Sequence, residues 1–307
     1  MSDSIKYVRM EDCYLPDLQM LFAKIFRRKV TIEYLQNKYD TGYLGIKYLC
    51  CMAFDQKKAI AFYGAIPQKF TRGNESILVA HACDSLTLEE YRRKGLHYNL
   101  ARMSYEIMRS AGVKFVYAFH SENTYWSTRK LNCKEGIHMQ RNHLRVNMVP
   151  FAKAWRKIFL EKFYQKYVIR ILQPYSTNFK IGVPPEKFQQ DYNPNFLDYK
   201  SNFTGIHCLN LEDCQFIIKI ESIMKVGFFV APTIQQFRIA LDKLKHIAFI
   251  LGVNEILFQV SPNSTCGQML DNVLESKQSW LVGYFSFDKR FDDLSQFDFN
   301  YLDLDTF

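Results

Sequence analysis

Glycine and proline are scarce in this sequence, with 13 and 9 residues in a chain of 307, which excludes a collagen-like or low-complexity protein. No stretch approaches the roughly 20 consecutive apolar residues that span a bilayer. The first residues also lack the apolar run of a secretory signal. We therefore expect a soluble protein without a membrane span, located in the cytoplasm.

Signatures of metal and nucleophile chemistry are also missing. The eight cysteines form no Cys-x-x-Cys pair, and in a cytosolic chain of this length they are typical of reduced core residues. His138 and His143 are five positions apart rather than the four of a helical zinc pair. The sequence has neither a Walker loop nor a Gly-x-Ser-x-Gly elbow. We expect no metal cofactor.

The abundant residues indicate a large core and a localised positive charge. Apolar residues make up 48% of the chain and aromatic residues 16%, and the length suits two domains. The formal net charge is +9, but residues 141–190 hold ten basic and two acidic residues. Since the rest of the chain is near neutral, the charge does not indicate a general polyanion binder. No interleaving of basic and stacking aromatic residues supports a nucleic-acid partner.

Residues 148–175 contain apolar residues at three- and four-residue spacing, among them Phe163, Tyr167 and Ile171, with Lys and Arg on the other face. This pattern predicts an amphipathic helix. One interpretation is a helix that lies on a membrane surface or guides an anionic acceptor. The other, which we favour, is a helix that bridges two lobes with a solvated basic face.

An internal repeat relates residues 111–123 to residues 251–263, 140 positions later. Four pairs align as identical residues without a gap: Gly112 and Gly252, Val113 and Val253, Ser121 and Ser261, Asn123 and Asn263. Each copy follows a helix-length amphipathic run and precedes a polar run and then an alternating, strand-like run, at 137–147 and at 279–287. The shared order of elements indicates a duplication.

The repeat predicts the organisation of the whole chain. We expect an α/β fold with mixed sheets, of the α+β kind, built from two similar lobes. The first lobe comprises residues 1–148 and the second residues 191–307. Residues 149–190 form the basic helical connector between them.

The first lobe contains a strand, a basic loop and a helix in immediate succession. Residues 77–88 are predicted as the strand, and the helix begins near Leu96. The loop between them carries Gly95 after three consecutive cations at 92–94. A helix N-terminus presents unpaired N–H groups, and glycine lets the backbone approach a ligand closely. The pattern indicates a phosphate or pyrophosphate site, although a solvated helix start has the same pattern.

Residues 82–100 resemble motif A of the GNAT (Gcn5-related N-acyltransferase) family, which has the form [Gln/Arg]-x-x-Gly-x-[Gly/Ala] between a strand and a helix. Arg92 matches the first position and Gly95 the central one, whereas His97 replaces the usual small third residue. Residues 113–147 resemble the family's motif B. The resemblance implies a GNAT fold for the first lobe and, through the repeat, a degenerate GNAT-like second lobe.

The resemblance implies acetyl-CoA, or another acyl-CoA, as the co-substrate, with its pyrophosphate on the N–H groups of residues 93–97. The residues expected to bind it are Leu86, Arg92, Arg93, Lys94, Gly95, Leu96, His97 and Asn123. The repeat aligns this loop with residues 232–237 of the second lobe, which contain neither glycine nor a cation. We therefore expect that only the first lobe binds CoA.

The family's general base commonly comes from the strand before this loop, where His81 and Asp84 are the ionisable candidates. The general acid is commonly a tyrosine on the helix after the motif B strand, and Tyr125 is the nearest. The structural alternatives are that Asp84 caps a turn and that His81 and Tyr125 only pack. Asn123 is expected to cap that helix and to contact the pantetheine arm.

We expect an acyl-CoA-dependent N-acyltransferase that moves an acetyl group directly to a primary amine of an unidentified small-molecule acceptor. Two alternatives stay open: a catalytically silent GNAT-like binding or regulatory protein, and a tandem-lobe aminoacyl transferase of cell-wall precursors. The acidic residues near the end of the chain would suit a cationic acceptor, but we expect a solvated tail. They are Asp288, Asp292, Asp293, Asp298, Asp303 and Asp305.

Overall fold

The structure, a computed structural model, describes residues 5–120, 129–153, 160–180, 182 and 185–307. Its helices are α1 (Leu15–Ile25), α2 (Ile32–Tyr39), α3 (Leu96–Ser110), α4 (Glu161–Leu172), α5 (Pro194–Thr204), α6 (Ile234–Ile250) and α7 (Thr265–Asp271). Its strands are β1 (Lys6–Arg9), β2 (Asp40–Thr41), β3 (Ile46–Lys47), β4 (Cys51–Asp55), β5 (Lys58–Arg72), β6 (Glu75–Thr87), β7 (Phe115–His120), β8 (Lys134–Arg145), β9 (Gln189–Gln190), β10 (Ile206–Leu211), β11 (Cys214–Ile220), β12 (Met224–Val230), β13 (Glu255–Val260) and β14 (Ser276–Ser286). Within these ranges, no helix combines the length and the apolar character needed to cross a membrane.

One 12-stranded sheet organises the described residues, in the order β1-β4-β5-β6-β7-β14-β8-β13-β12-β11-β10, with β9 paired to β5. Most neighbouring strands are antiparallel, while β6 with β7 and β12 with β13 run parallel. Parallel neighbours require a crossover, and α3 and α6 are the helices that connect these two pairs. The predicted α/β class with a mixed sheet is confirmed.

The two copies of the repeat exchange their last strands. β7 and β13 are the repeated strands, and β8 and β14 follow them in the chain. β14 lies between β7 and β8, with Tyr284 opposite Tyr117, and β8 lies between β14 and β13, with Asn142 opposite Phe258. The order β7-β14-β8-β13 therefore has the same form when it is followed from either end. The predicted division at residues 148 and 191 stays a prediction, but each half of the chain supplies a strand to the sheet of the other.

The helices at the start of the chain pack against the sheet beside β5. α2 begins after Thr31, whose hydroxyl accepts a hydrogen bond from the Tyr34 N–H at 3.0 Å, as an N-cap residue does. Its buried residues are Leu35, Lys38 and Tyr39. The three lie at helical spacing on one face, so the helix buries a lysine together with its apolar residues.

The connector contains α4, which packs onto the end of α6. The hydroxyl of Tyr164 donates to the Leu251 carbonyl at 2.8 Å, and the hydroxyl of Tyr167 donates to the Ile250 carbonyl at 2.9 Å. The buried residues of α4 are Tyr164, Val168 and Leu172. Phe163, which we expected on the packed face, is instead 65% exposed, because the buried stripe is displaced by one position. These contacts support the interpretation of α4 as a bridging helix.

The eight cysteines are free thiols. Cys50, Cys51, Cys214 and Cys266 are buried, and only Cys13 is exposed. Cys83, Cys133 and Cys208 are half-buried, so the cysteines lie mainly in or against the core, as predicted, whereas their reduced state stays a prediction.

Candidate active site

A cleft of about 990 Å³ opens where the parallel strands β6 and β7 end their pairing. The pairing joins Ala80 to Val116 and His81 to Tyr117, and beyond these pairs both strands continue as walls of the cleft. The wall residues are Ala82, Cys83, Asp84, Ser85 and Thr87 from β6 and Ala118, Phe119 and His120 from β7. Ligands of open α/β sheets bind outside the carboxyl ends of parallel strands, and this cleft has that position.

Strand β6 contains a β-bulge at Cys83 and Asp84. Tyr63 of β5 pairs with Ser85 and Ala65 pairs with Ala82, so Cys83 and Asp84 together lie opposite the single residue Gly64. A Cβ atom at Gly64 would lie 3.0 Å from the Asp84 carbonyl oxygen, so glycine permits the close approach. Bulges bend a strand and re-aim its side chains, and they occur next to active sites.

The basic loop enters α3 in a conformation suited to an anion. Arg93 has φ of +63° and Gly95, the N-cap residue of α3, has φ of +78°. Left-handed residues in such a turn direct successive N–H groups into one concavity. Gly95 has no side chain with which to cap the start of α3. The first N–H groups of the helix can therefore bind a ligand. The start of α6 differs, because the Thr233 hydroxyl accepts from the Gln236 N–H at 3.2 Å.

Most of the loop residues predicted to bind CoA line this cleft. They are Arg92, Arg93, Gly95, Leu96 and His97. Two others lie elsewhere: the Lys94 ammonium is over the Tyr91 ring at 4.7 Å, and the side chain of Leu86 is fully buried in the core. A contact between Leu86 and a cofactor is therefore restricted to its main chain. Asn123 lies outside the described residues.

His97 occupies the last position of the motif, where a small residue is usual. Its ring packs edge-on against Tyr63, with the ring centres 5.6 Å apart, and both residues line the cleft. Burial lowers the pKa of His97, which favours the neutral imidazole. The aromatic contact explains how a large third residue is accommodated beside the loop.

A buried ionic cluster lies at the bulge. The ammonium of Lys38, whose side chain is 1% exposed, is in contact with the Asp84 carboxylate and lies 2.6 Å from that of Asp305. The Tyr39 hydroxyl also donates to Asp84. The other carboxylate oxygen of Asp305 lies 3.3 Å from Nε2 of His81. The cluster therefore contains two carboxylates, one ammonium and one imidazole. It joins Lys38, near the start of the chain, to Asp305, near its end.

The electrostatics of the cluster favour ionised partners. Burial lowers the pKa of Lys38, but Asp305 and Asp84 raise it by more, so that its pKa lies well above the ordinary value. Burial raises the pKa of Asp305, and Lys38 and His81 more than reverse this effect, so that its pKa lies well below the ordinary value. Burial, with a smaller contribution from His81, lowers the pKa of His120 to about 4.

Cys83, Asp84 and Asp305 bring three ligand-type atoms within 4.8 Å of one another. The ammonium of Lys38 already pairs with both carboxylates, and burial raises the pKa of Cys83 well above its ordinary value. A metal ion prefers a thiolate to a thiol. The donor set therefore suits the ion pair that is present better than a metal ion.

The two proposed bases, His81 and Asp84, thus meet in one cleft with the basic loop, whereas Tyr125 lies outside the described residues. Lys38 and Asp305 did not follow from the sequence reasoning. The sequence contains one indication that Lys38 is buried, since this lysine shares the apolar face of α2 with Leu35. It contains no such indication for Asp305.

The expectation of a solvated acidic tail is wrong for its last two members, Asp303 and Asp305. Both are buried. Asp305 pairs with Lys38, and Asp303 accepts a hydrogen bond from the Tyr192 hydroxyl at 2.7 Å. Paired acidic groups are stable in a core, which the composition of the segment does not reveal.

Comparisons with known proteins agree with this geometry. The family model described as an acetyltransferase (GNAT) domain matches residues 8–129. No curated protein matches the chain in a sequence comparison.

Solved structures share the fold at low sequence identity. A GCN5-related N-acetyltransferase from Kribbella flavida has a TM-score of 0.57 at 13% identity, over 94% of this chain and 72% of that chain. A GCN5-related N-acetyltransferase from Anabaena variabilis has a TM-score of 0.55 at 9% identity, over 92% and 72%. The N-myristoyltransferase of Saccharomyces cerevisiae, solved with bound myristoyl-CoA, has a TM-score of 0.57 at 10% identity, over 93% and 80%.

Proposed function

We propose that this protein, whose residues 8–129 match a GNAT acetyltransferase domain, is an acetyltransferase. In the proposed reaction it transfers an acetyl group from acetyl-CoA to a primary amine of a small molecule. The domain supports acyl-CoA-dependent N-acyl transfer in general. The choice of acetyl and the class of acceptor belong to the proposal. The observation that carries it is the single cleft in which the start of α3 and the cluster at Asp84 lie together.

The start of α3 would hold the pyrophosphate of acyl-CoA. Main-chain N–H groups of residues 93–97 and the guanidinium groups of Arg92 and Arg93 would supply the hydrogen bonds and the positive charge. The corresponding helix in the second half, α6, does not offer such a start, because Thr233 caps it. We accordingly place one CoA site in the protein.

The transfer requires a base, an oxyanion donor and an acid. In the proposed reaction the amine loses a proton to His81 or Asp84, and its nitrogen forms a bond to the thioester carbon. The carbon–sulfur bond then breaks, and the CoA thiolate takes a proton from a general acid, for which Tyr125 is the candidate. A main-chain N–H of β6 beyond the bulge would stabilise the oxyanion.

The first test measures CoA binding and acyl transfer with purified protein. We expect CoA to raise the melting temperature and amines to release free CoA thiol from acetyl-CoA. The double change Arg92→Ala and Gly95→Ala is expected to abolish both. The matched control is Arg72→Ala with Gly73→Ala, since Arg72 and Gly73 lie at a distant hairpin and Gly73 also has a positive φ of 55°. CoA binding that survives in the first double variant would contradict the proposal.

Two outcomes of this test would favour the alternatives. Binding of CoA without thiol release from any amine would favour a silent binding protein. The absence of CoA binding in the wild type would favour an aminoacyl transferase. Acyl-CoAs of increasing chain length belong in the panel, because one structure with this fold holds myristoyl-CoA.

We also propose that the protein acts in the cytoplasm. The eight free thiols support this location, since thiols persist in a reducing compartment. Cell fractionation tests it, and recovery of the protein with disulfides in an oxidising compartment would contradict it.

A further inference from the structure

Most of the last residues of the chain are buried, among them Asp303, Asp305 and Phe307. The Asp303 carboxylate accepts from the Asn300 N–H at 2.7 Å, and the Asp303 carbonyl accepts from Gln68 at 3.0 Å. The Lys200 ammonium donates to the Leu304 carbonyl at 2.6 Å. These anchors come from both halves of the chain. They hold Leu304, Asp305 and Thr306 in the wall of the cleft.

Asp305 uses both of its carboxylate oxygens on residues of the candidate active site. One oxygen lies 2.6 Å from the Lys38 ammonium and the other 3.3 Å from Nε2 of His81. Its side chain is 8% exposed, so water competes little for these contacts. A single carboxylate from the end of the chain thereby fixes one residue of α2 and one of β6.

The contact with His81 determines which ring nitrogen carries the proton. An ionised carboxylate only accepts hydrogen bonds, so the contact requires a proton on Nε2. In the neutral ring Nδ1 then keeps its lone pair, which is the form of a general base. Nδ1 of His81 is buried and has no hydrogen-bond partner among the residues that the structure describes. The ring itself lines the cleft.

The contact with Lys38 determines the charge beside Asp84. Lys38 lies between two carboxylates, so the three groups carry one net negative charge when all are ionised. Without Asp305 the lysine would neutralise Asp84 alone, and the wall would carry no net charge at this point. An acceptor amine enters mainly as an ammonium ion, which a net negative charge attracts.

We propose that Asp305 is a positioning residue for acyl transfer, which fixes the proton-accepting form of His81 and keeps the wall at Asp84 negative. The proposal rests on the proposed function. It goes beyond it by assigning a necessary residue of the active site to the C-terminal segment, outside residues 8–129. The titratable groups around the Asp305 carboxylate, among the described residues, are Lys38, His81, Cys83, Asp84, Tyr117, Tyr199 and Lys200.

The test compares Asp305→Asn with a control two residues away. Asp305→Asn is expected to lower kcat about tenfold or more, because acid–base catalysis contributes roughly 10²–10⁴-fold. The KM for acyl-CoA should change less than about twofold, and the acidic limb of the kcat pH profile should move. Asp303→Asn alters the same segment at a side chain that does not line the cleft, so it should lower the melting temperature and leave the pH profile in place. Asp305→Glu keeps the charge and should recover part of kcat.

A second readout is independent of turnover. Ring ¹⁵N NMR of His81, assigned with His81→Gln, should show the proton on Nε2 in the wild type and a mixture of tautomers in Asp305→Asn. Wild-type kcat, pH profile and tautomer in a folded Asp305→Asn would overturn the proposal. If that variant does not fold, the wild type decides, because a proton on Nδ1 of His81 rather than on Nε2 would overturn the proposal. A wild type without transfer activity would contradict the proposed function. The NMR comparison would still decide whether Asp305 fixes the tautomer of His81.

Discussion

The ammonium of Lys38 lies 2.6 Å from the carboxylate of Asp305, although 267 positions separate the two residues in the chain. Their side chains are 1% and 8% exposed. A buried charge without a partner costs several kcal/mol, so each residue makes the burial of the other tolerable. The contact joins α2 to the C-terminal segment beside the cleft, and the start and the end of the chain depend on each other there.

The first prediction concerns this lysine. Lys38→Met is expected to lower the free energy of unfolding by about 3–5 kcal/mol, because Asp84 and Asp305 lose the charge between them. Chemical denaturation measures the change. The control is Lys47→Met, since Lys47 is 51% exposed and pairs with Asp12 at the surface, where water and salt screen the pair and its loss changes stability little. Equal small losses in both variants would contradict the argument.

The second prediction concerns the packing of the C-terminal segment. A Cβ atom at Gly227 would lie 2.6 Å from the ring of Phe307. Gly227→Ala should therefore cost about 1–3 kcal/mol by overpacking and lower kcat through displacement of Asp305. Gly182→Ala is the control, because no atom of the described residues beyond its chain neighbours lies within 4 Å of a Cβ atom placed there. Wild-type melting temperature and kcat in Gly227→Ala would show that the segment adapts without cost.

The third prediction concerns the exchanged strand β14. A Cβ atom at Gly283 would lie 2.6 Å from the ring of His120, which lines the cleft. Gly283→Ala should displace this ring and lower kcat more than it lowers the affinity for CoA. Gly136→Ala, where the added atom would meet the Leu294 side chain and the Val282 carbonyl oxygen, is a control with at least as large a steric cost outside the cleft. The same loss of kcat in both variants would point to general destabilisation.

The fourth prediction concerns pH. Burial lowers the pKa of His120 to about 4 in the folded protein, whereas an unfolded histidine titrates near 6.5. Between these values the unfolded chain binds the additional proton, so stability falls as the pH falls from about 6.5 to about 4. The contribution of this group is about 3 kcal/mol, from roughly 1.4 kcal/mol per unit of pKa.

Denaturation of wild type and His120→Gln between pH 4 and 7 measures this contribution. The variant should lose about 3 kcal/mol less over the range, while His246→Gln, at an exposed position of α6, should behave as the wild type does. Parallel curves for wild type and His120→Gln would refute the assignment.

Local patterns in the sequence predicted the elements that build the cleft. Helix α6 occurs where the amphipathic run before the second copy of the repeat predicted a helix, and the strand, loop and helix around Gly95 occur in the predicted order. These features depend on periodicity and on one conformation that glycine favours, both of which are local. His81 and Asp84 were proposed through the resemblance to the GNAT family, whose general base commonly comes from the strand before this loop, and their roles stay a prediction.

Contacts between distant segments were not accessible. An aspartate that pairs with a buried lysine has the same composition signature as one in a solvated tail, so Asp305 was placed in solvent. The partner of β14 was equally hidden, because alternating apolar residues specify which face is buried and not which strand is adjacent. The contacts of Asp305 in the ionic cluster and the place of β14 in the sheet both depend on such long-range pairings.

The exchange of strands gives the second copy of the repeat a reason to persist. β14 is an interior strand, so its removal would leave β7 and β8 as open edges, and unpaired edges favour aggregation. The start of α6 is capped by Thr233, so the second half supports the cleft through β14 rather than through an anion-binding loop at this helix. Because β7 is a wall of the cleft, a change in the second half that unfolds β14 would also disturb the site of the first half.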